Sequence, residues 1–308
     1  MPSTTTLTIA TRQSALALWQ ARFVQEQLQT LHPHLTIRLL PLSTEGDETL
    51  NQSLYKIGGK GLFVKELESA LLQKKADIAV HSLKDMPMAL PDGLCLSVIC
   101  ERASPEDALL SLKTHTLQNL PQGAIVGSSS LRRQSQLLLI RPDLQLLSLR
   151  GNVNTRIQKL ERGDFDAIVL AKAGIERLKI GLIYASILPI ETCLPAAGQG
   201  ALCIECLQDN VAIQALIQPL HHLESAQCVT AERAVVRYCE GSCQTPIAAY
   251  ATIENNLLVV RARIAMAKGS PYVYNVLKGA PQDAETLGTT LGKMLRDNGG
   301  DAILKYYQ

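Results

Sequence analysis

A strand, a short loop of serine and arginine, and a helix occur twice in this chain, and that repetition constrains its fold more than any other feature. The first copy reads as a strand from Thr6 to Thr11, the loop Arg12-Gln13-Ser14, and a helix from Ser14 to about Thr30 with Leu18, Trp19, Phe23 and Leu28 largely on one side. The second is a strand from Ala124 to Gly127, the loop Ser128-Ser129-Ser130, and a helix from Leu131 to about Ile140. Ser14 is a natural N-cap, so Arg12 stands beside a cluster of free backbone N–H groups, a place that binds anions. The echo predicts two lobes, each presenting a helix N-terminus to a shared cleft.

The 308 residues suffice for two or three domains with sizeable cores, and 46% hydrophobic against 19% charged residues fits a compact soluble protein. Aromatics at 4% leave few stacking platforms for single-stranded nucleic acid, and a net charge of +2 gives no general attraction to nucleic acid or membranes. The first residues carry neither a basic start nor an apolar run, and no apolar stretch is long enough to cross a bilayer, so a cytoplasmic protein is expected. Eight cysteines in such a chain suggest free thiols in a reducing compartment. Cys203-x-x-Cys206 and Cys239-x-x-x-Cys243, with His221 and His222 between, raise the question of zinc; Ala201 to Cys206 reads as a strand and not as a zinc knuckle, so no metal is expected.

Asp77-Ile78-Ala79-Val80-His81-Ser82 is a near-continuous apolar run typical of a strand buried in a parallel sheet. It delivers Leu83-Lys84-Asp85 at its C-terminal end, where open α/β sheets bind ligands. Asp85 is either a turn former or a functional carboxylate, with Lys84 and His81 as neighbours. Arginine concentrates further on: Arg132 and Arg133 in the first turn of a helix, Arg150 ending a strand from Leu144, Arg156 after Gly151 to Thr155, and Arg177 beyond the strand Ala167 to Leu170. Cations at a helix N-terminus oppose the macrodipole at roughly a few tenths of a kcal/mol each, which makes sense if an anion lies there. Guanidinium groups suit bidentate capture of carboxylate or phosphate.

Gly58-Gly59-Lys60-Gly61 lacks the spacing of a phosphate loop, so Ser43 to Lys60 reads as a mobile loop carrying Lys56 and Lys60. Cys100 to Asp107 reads as a crossing between lobes, and Pro195 to Gly200 as a hinge into a strand from Ala201 to Glu205. From about Leu223 the pattern becomes α+β: a helix with Thr230 as N-cap and Gly241 as its stop, a loop bearing Cys243, three strands near Ile247 to Ile253, Leu257 to Ala265 and Tyr272 to Lys278, and a final helix from about Asp283 to Asp297. Cys243 is either a buried small hydrophobe or an attachment point.

Taken in order, Ile9 to Ser14, Gly58 to Leu67, Asp77 to Pro87, Gly127 to Gln134, Leu149 to Arg156, Pro195 to Glu205 and Glu240 to Ile247 resemble the porphobilinogen deaminase (hydroxymethylbilane synthase) family over almost the whole chain. The resemblance implies an α/β fold of two periplasmic-binding-protein-like lobes with mixed, mostly parallel sheets, plus a small C-terminal α+β domain. Residues 1–100, completed by 201–219, are expected to form lobe 1, residues 101–200 lobe 2, and residues 220–308 the cofactor-attachment domain. The implied reaction joins four porphobilinogen molecules head to tail into hydroxymethylbilane, releasing ammonia, in tetrapyrrole (haem) biosynthesis. Its primer is a dipyrromethane cofactor held by a thioether, a role that falls on Cys243. Asp85 matches the family's catalytic carboxylate. Loss of ammonia from an aminomethylpyrrole leaves a cation that a fixed carboxylate stabilises, and its acid form can protonate the departing amine. Lys84, Ser128, Ser130, Arg132, Arg133 and Arg150 match cofactor-holding positions; Arg12, Ser14, Lys60, Arg150, Arg156 and Arg177 match positions that hold substrate acetates and propionates.

Two departures from the family pattern stand in this chain: Ser242 replaces a glycine and Ser128 a common threonine. The first matters if that residue needs positive φ. A monomer is expected. The competing reading, a two-lobed binding protein for a small carboxylate ligand, explains the lobes and the basic cleft but neither Cys243 nor the third domain.

Overall fold

The computed structural model describes residues 6–44, 64–113, 116–181, 184–241 and 245–307. Lys60, Ser242, Cys243 and nearly all of the Ser43 to Lys60 loop lie outside them. In chain order the strands are β1 (Thr6–Arg12), β2 (Thr36–Leu42), β3 (Ile78–Ser82), β4 (Leu94–Ile99), β5 (Asp107–Ser111), β6 (Ile125–Gly127), β7 (Gln145–Leu147), β8 (Ala167–Ala171), β9 (Tyr184–Leu188), β10 (Leu202–Leu207), β11 (Ile247–Glu254), β12 (Leu257–Ala265) and β13 (Tyr272–Gly279). The main helices are α1 (Ala15–Leu31), α2 (Lys65–Leu72), α3 (Leu131–Ile140), α4 (Val153–Glu161), α5 (Lys172–Arg177), α6 (Val211–Ile217), α7 (Leu223–Tyr238) and α8 (Ala284–Leu295).

Two compact units result, Met1–Arg102 with Ala201–Ser225 and Ala103–Gly200 with Ala226–Gln308. The first holds a five-stranded sheet of order β2-β1-β3-β10-β4, the second one of order β7-β6-β8-β5-β9. In the first, β1 pairs in parallel with β2 and β3, while β10 runs antiparallel to β3 and β4. In the second, β6 pairs in parallel with β7 and β8, while β5 runs antiparallel to β8 and β9. Each sheet is therefore mixed with a single reversed strand, the one the chain enters directly after passing between units. The fold class is the one expected. The second unit also carries an antiparallel sheet β11-β12-β13 covered by α8.

Local sequence explains the element that opens each sheet. Ser14 is extended and its hydroxyl accepts the N–H of Ala17 at 3.3 Å, so α1 starts right after β1. The face α1 buries is Ala17, Gln20, Ala21, Val24 and Leu28. Of the side expected from the sequence, Leu28 alone is fully covered; alanines allow close approach to the sheet, and Trp19 and Phe23 stack on each other, centroids 5.5 Å apart. Alternation along β3 sends Ile78 and Val80 to the α1 side and Ala79 to the side packed by Leu67, Ala70 and Leu71 of α2.

The helix leading to the Cys243 loop starts earlier than expected and ends in the expected tight turn at Gly241. α7 begins at Leu223, ahead of Thr230, because Nδ1 of His222 accepts the N–H of Ser225 and caps it. Its C-terminus closes with the Gly241 N–H on the Val236 carbonyl at 2.9 Å and the Glu240 N–H on that of Arg237 at 3.0 Å, a Schellman arrangement. The left-handed residue is Glu240, at φ 53°. Gly241 is needed for space: a Cβ there would lie 2.5 Å from Cδ1 of Ile247 and 3.1 Å from Cγ1 of Val236.

Candidate active site

In the first unit β3 runs into a single turn of 3₁₀ helix, Leu83–Asp85. The Leu83 N–H donates to the Ala201 carbonyl at 3.0 Å and the Met86 N–H to that of Leu83 at 3.1 Å. Leu83 and Met86 are buried, which turns Asp85 out to solvent and leaves Lys84 half-buried. A recess opens at this point, lined by Arg12 and Ser14 where β1 meets α1, by Val80, His81 and Ser82 of β3, and by Asp85. Gln20 holds the wall, its amide donating to the Ser82 hydroxyl at 2.7 Å. Behind the wall, Nε2 of His81 lies 3.0 Å from the Glu205 carboxylate. Glu68 of α2 is buried nearby; burial first, and the charge of Glu205 second, push its carboxyl up to about 7.

In the second unit the Ser130 hydroxyl accepts the Arg133 N–H at 3.4 Å to cap α3, and that of Ser128 accepts the Ser130 N–H at 3.3 Å. The two cations in the first turn of α3 do face an anion, but an internal one. Asp107, fully buried at the start of β5, takes Nη1 of Arg132 at 2.8 Å on one oxygen and Nε and Nη2 of Arg133 at 3.0 and 2.7 Å on the other. Gln199 and the Cys193 thiol donate to the same carboxylate at 3.0 and 3.4 Å. Burial alone would push Asp107 up; the guanidinium groups of Arg132 and Arg133 outweigh it and hold the carboxyl well below the usual range. Burial, reinforced by the Asp107 charge, pushes the Cys193 thiol up to about 12.

The sequence assigned Arg132 and Arg133 to ligand carboxylates, whereas their first partner is Asp107. All three guanidinium nitrogens of Arg133 are engaged inside the unit, Nη1 donating to the Val169 carbonyl at 3.1 Å. Arg132 keeps one buried nitrogen, Nε, with no hydrogen-bond partner. Arg150, Arg156 and Arg177 are half-buried. Nε of Arg156 donates to the Gly151 carbonyl at 2.7 Å and Nη2 of Arg177 to that of Gly200 at 2.8 Å. Gly200, at φ 91°, has no room for a Cβ, which would collide with the Ala103 carbonyl.

The segment read as a hinge is held within the second unit at several points. The buried Gln199 amide donates to the Pro105 carbonyl at 2.6 Å, and the Gly198 N–H donates at 2.7 Å to Glu232 of α7, whose other oxygen takes the Ala251 N–H at 2.8 Å. Arg12, Ser14 and Asp85 thus share one recess, while Ser128, Ser130, Arg132 and Arg133 gather at the start of α3. Asp107, Glu68, Glu205 and Glu232 escaped the sequence reading. A detectable signal existed for Glu205 alone, a charge inside the apolar strand Leu202–Leu207.

Comparisons with known proteins give a family. The model for porphobilinogen deaminase, dipyromethane cofactor binding domain, matches residues 7–215, and that for porphobilinogen deaminase, C-terminal domain, residues 226–297. Similar solved structures include the periplasmic aliphatic sulphonate binding protein SsuA from Escherichia coli, at 13% identity, 96% of this chain, 88% of that chain and TM-score 0.44. The Salmonella typhimurium periplasmic binding protein STM4351, described as having high arginine specificity, matches at 13% identity, 70% of this chain, 91% of that chain and TM-score 0.40. Likenesses this distant carry no argument about ligand or activity.

Proposed function

The chain belongs to the porphobilinogen deaminase family, and from that premise we propose that Cys243 anchors its dipyrromethane cofactor and that Asp85 is the acid and counter-ion of its reaction. The activity is that of a transferase, joining four porphobilinogen molecules head to tail into hydroxymethylbilane with release of ammonia. The recess that gathers Arg12, Ser14 and Asp85 is the observation that carries the residue assignment. The donor set fits a dipyrromethane, since guanidinium, ammonium and hydroxyl groups suit acetates and propionates, and the partnerless Nε of Arg132 is a buried donor in want of an acceptor. When bound, the cofactor supplies a free pyrrole α-carbon as the nucleophile.

Lys84, Ser128, Ser130, Arg132, Arg133 and Arg150 are assigned to cofactor carboxylates, and Arg12, Ser14, Lys60, Arg150, Arg156 and Arg177 to those of the substrate. Asp85 stands on a turn fixed by the Ala201 carbonyl, so its carboxylate meets the cation that forms as the amine leaves without reorganising first, and its acid form hands that amine a proton. Cys239 is a poor rival for the attachment. Its thiol is buried, donates to the Gly292 carbonyl at 3.7 Å and is pushed by burial up to about 12, which leaves almost no thiolate.

We also assign the protein to the cytoplasm as a monomer acting without nucleic acid. Its described cysteines are all free thiols, as a reducing compartment allows, and no helix among the described residues is long and apolar enough to cross a membrane. Intact-protein mass spectrometry after expression in a porphobilinogen-making host tests the anchor. Cys243→Ala should show the bare polypeptide mass and Cys239→Ala the added cofactor mass; the reverse pattern removes Cys243 from the assignment.

A further inference from the structure

Behind the Asp85 recess lie charged groups that the proposed chemistry does not use. His81 lines the recess, and its Nε2 reaches Oε2 of Glu205 at 3.0 Å. Cys203 lies opposite His81 and Glu205 opposite Ala79, so the two polar side chains meet diagonally on the sheet face that α2 covers. Glu68, beside the core residue Leu67 of α2, is turned into the same layer. Oε1 of Glu68 and Oε1 of Glu205 are both buried with no hydrogen-bond partner. Two buried carboxylates within Coulombic reach of each other are costly when both are ionised, and one proton held between them relieves that cost. Lys65 and Glu66 of α2 also act on Glu68, with opposite signs, while Arg12 and Asp85 face His81 across the recess.

We infer that His81, Glu205 and Glu68 form a buried proton-exchange network, entered through His81, that takes up and returns the proton set free in the Asp85 recess at each condensation. This rests on the reading of Asp85 as the acid. Each condensation breaks the C–N bond of the substrate's aminomethyl group, and that electron pair leaves with ammonia. A C–C bond forms from a π pair of the accepting pyrrole, whose α-carbon then loses its proton while the C–H pair returns to the ring. Asp85, having given a proton to the amine, must regain one. His81 lines the same recess and relays it; Glu205 holds the ring through Nε2 at 3.0 Å, and Glu68 adjusts that contact by its own ionisation. Glu205 and Glu68 act through His81 and are positioning residues.

The test follows kcat and KM of the holoenzyme against pH. The wild type should show an inflection near pH 7, where Glu68 titrates. Glu68→Gln should abolish that inflection with KM and cofactor mass unchanged, and should melt higher than the wild type only on the alkaline side. Glu205→Gln should lower kcat about tenfold at constant KM and move the inflection to lower pH, because Glu205 is part of what raises Glu68; Glu205→Asp should restore most of the rate. A flat wild-type profile across neutrality, or an inflection unmoved in both variants, overturns the network. If Glu68→Gln fails to fold, the direction of the Glu205→Gln shift decides alone. Asp85→Asn separates the two layers: near-normal turnover sinks the Asp85 reading and this inference with it, whereas slow turnover beside an unmoved inflection sinks the network only.

Discussion

Where β1 meets α1, the first unit leaves Arg12, Ser14 and Asp85 around an open recess; where β6 meets α3, the second unit seals the corresponding helix start with Asp107, Arg132 and Arg133. The strand order is the same and both helices begin at a serine cap, so topology does not account for the difference. Its source is the placement of carboxylates. Asp107 sits at the first residue of a reversed strand and is enclosed by two guanidinium groups, an amide and a thiol, a cluster in which both carboxylate oxygens are paired and that serves rigidity. Asp85 sits one turn beyond a forward strand and is exposed, with two incompletely satisfied carboxyls behind it. One unit settles its buried carboxylate on two guanidinium groups, the other leaves an exposed carboxylate on a recess and two buried ones incompletely paired behind it.

The harshest way to break that contrast is Asp107→Asn. It leaves two buried guanidinium groups without a full counter-charge, a loss of about 3–5 kcal/mol by the measure of broken buried pairs, readable as a lower denaturant midpoint. The sign with pH follows from a carboxyl held below its ordinary value. Its stabilisation is present above about pH 4 and fades as pH falls towards the lowered folded value, so the variant should differ least from wild type in strong acid. Asp85→Asn should do the opposite. Its stability should match the wild type, since the side chain is exposed, while turnover falls about a hundredfold or more with the cofactor still bound. A midpoint loss in Asp85→Asn as large as in Asp107→Asn would erase the distinction between the two sites.

Glu68→Gln probes the unsettled side. A folded value raised to about 7 from an ordinary 4.5 means the folded protein holds this proton more tightly than the unfolded chain across that window. Wild-type stability therefore falls as pH rises from about 4.5 to about 7, and the full penalty stands above 7. Glutamine removes it, for a gain of about 2 kcal/mol at alkaline pH and none in acid, seen by chemical denaturation at the two extremes.

Much of this architecture was written in local pattern. The helix from Leu131 to Ile140 and the strand from Leu257 to Ala265 fall where their periodicity places them, because each is a strongly patterned segment between clear punctuation. β4, β5 and β9 were not legible: they are held by antiparallel pairing to strands far away in sequence, and Asp107, opening β5 beside Glu106, reads as a polar crossing. The same limit governs the sites. That Arg132 and Arg133 need an anion follows from the helix dipole; that the anion is the first residue of β5 follows only from packing. The start of α7 was misplaced because its cap is a histidine, outside the serine, threonine and aspartate pattern that marked Thr230. The place of Asp85, one turn past the end of β3, was legible from the apolar run that precedes it, while Glu68 and Glu232, acids on ordinary helices, bear no mark of what they bury against.

The smallest effects test whether the two helix starts are equivalent once the charges are set aside. Ser14→Ala and Ser130→Ala each remove a long cap bond, 3.3 and 3.4 Å, so each should cost about 0.5–1 kcal/mol. The backgrounds should differ. Arg133 gives its N–H to Ser130 and its guanidinium to Asp107, so cap and ion cluster share a residue, whereas among the described residues Ser14 has no partner in common with Asp107. In an Asp107→Asn background the start of α3 has lost the charge that offsets two cations at a positive dipole end, and the loss of Ser130 should then cost more than in the wild type, a coupling of about 0.5 kcal/mol or greater. Ser14→Ala should add to Asp107→Asn with no coupling beyond about 0.3 kcal/mol. Equal coupling at both serines would mean that the second unit's seal does not hold its helix start, and that Asp107 serves the arginines alone.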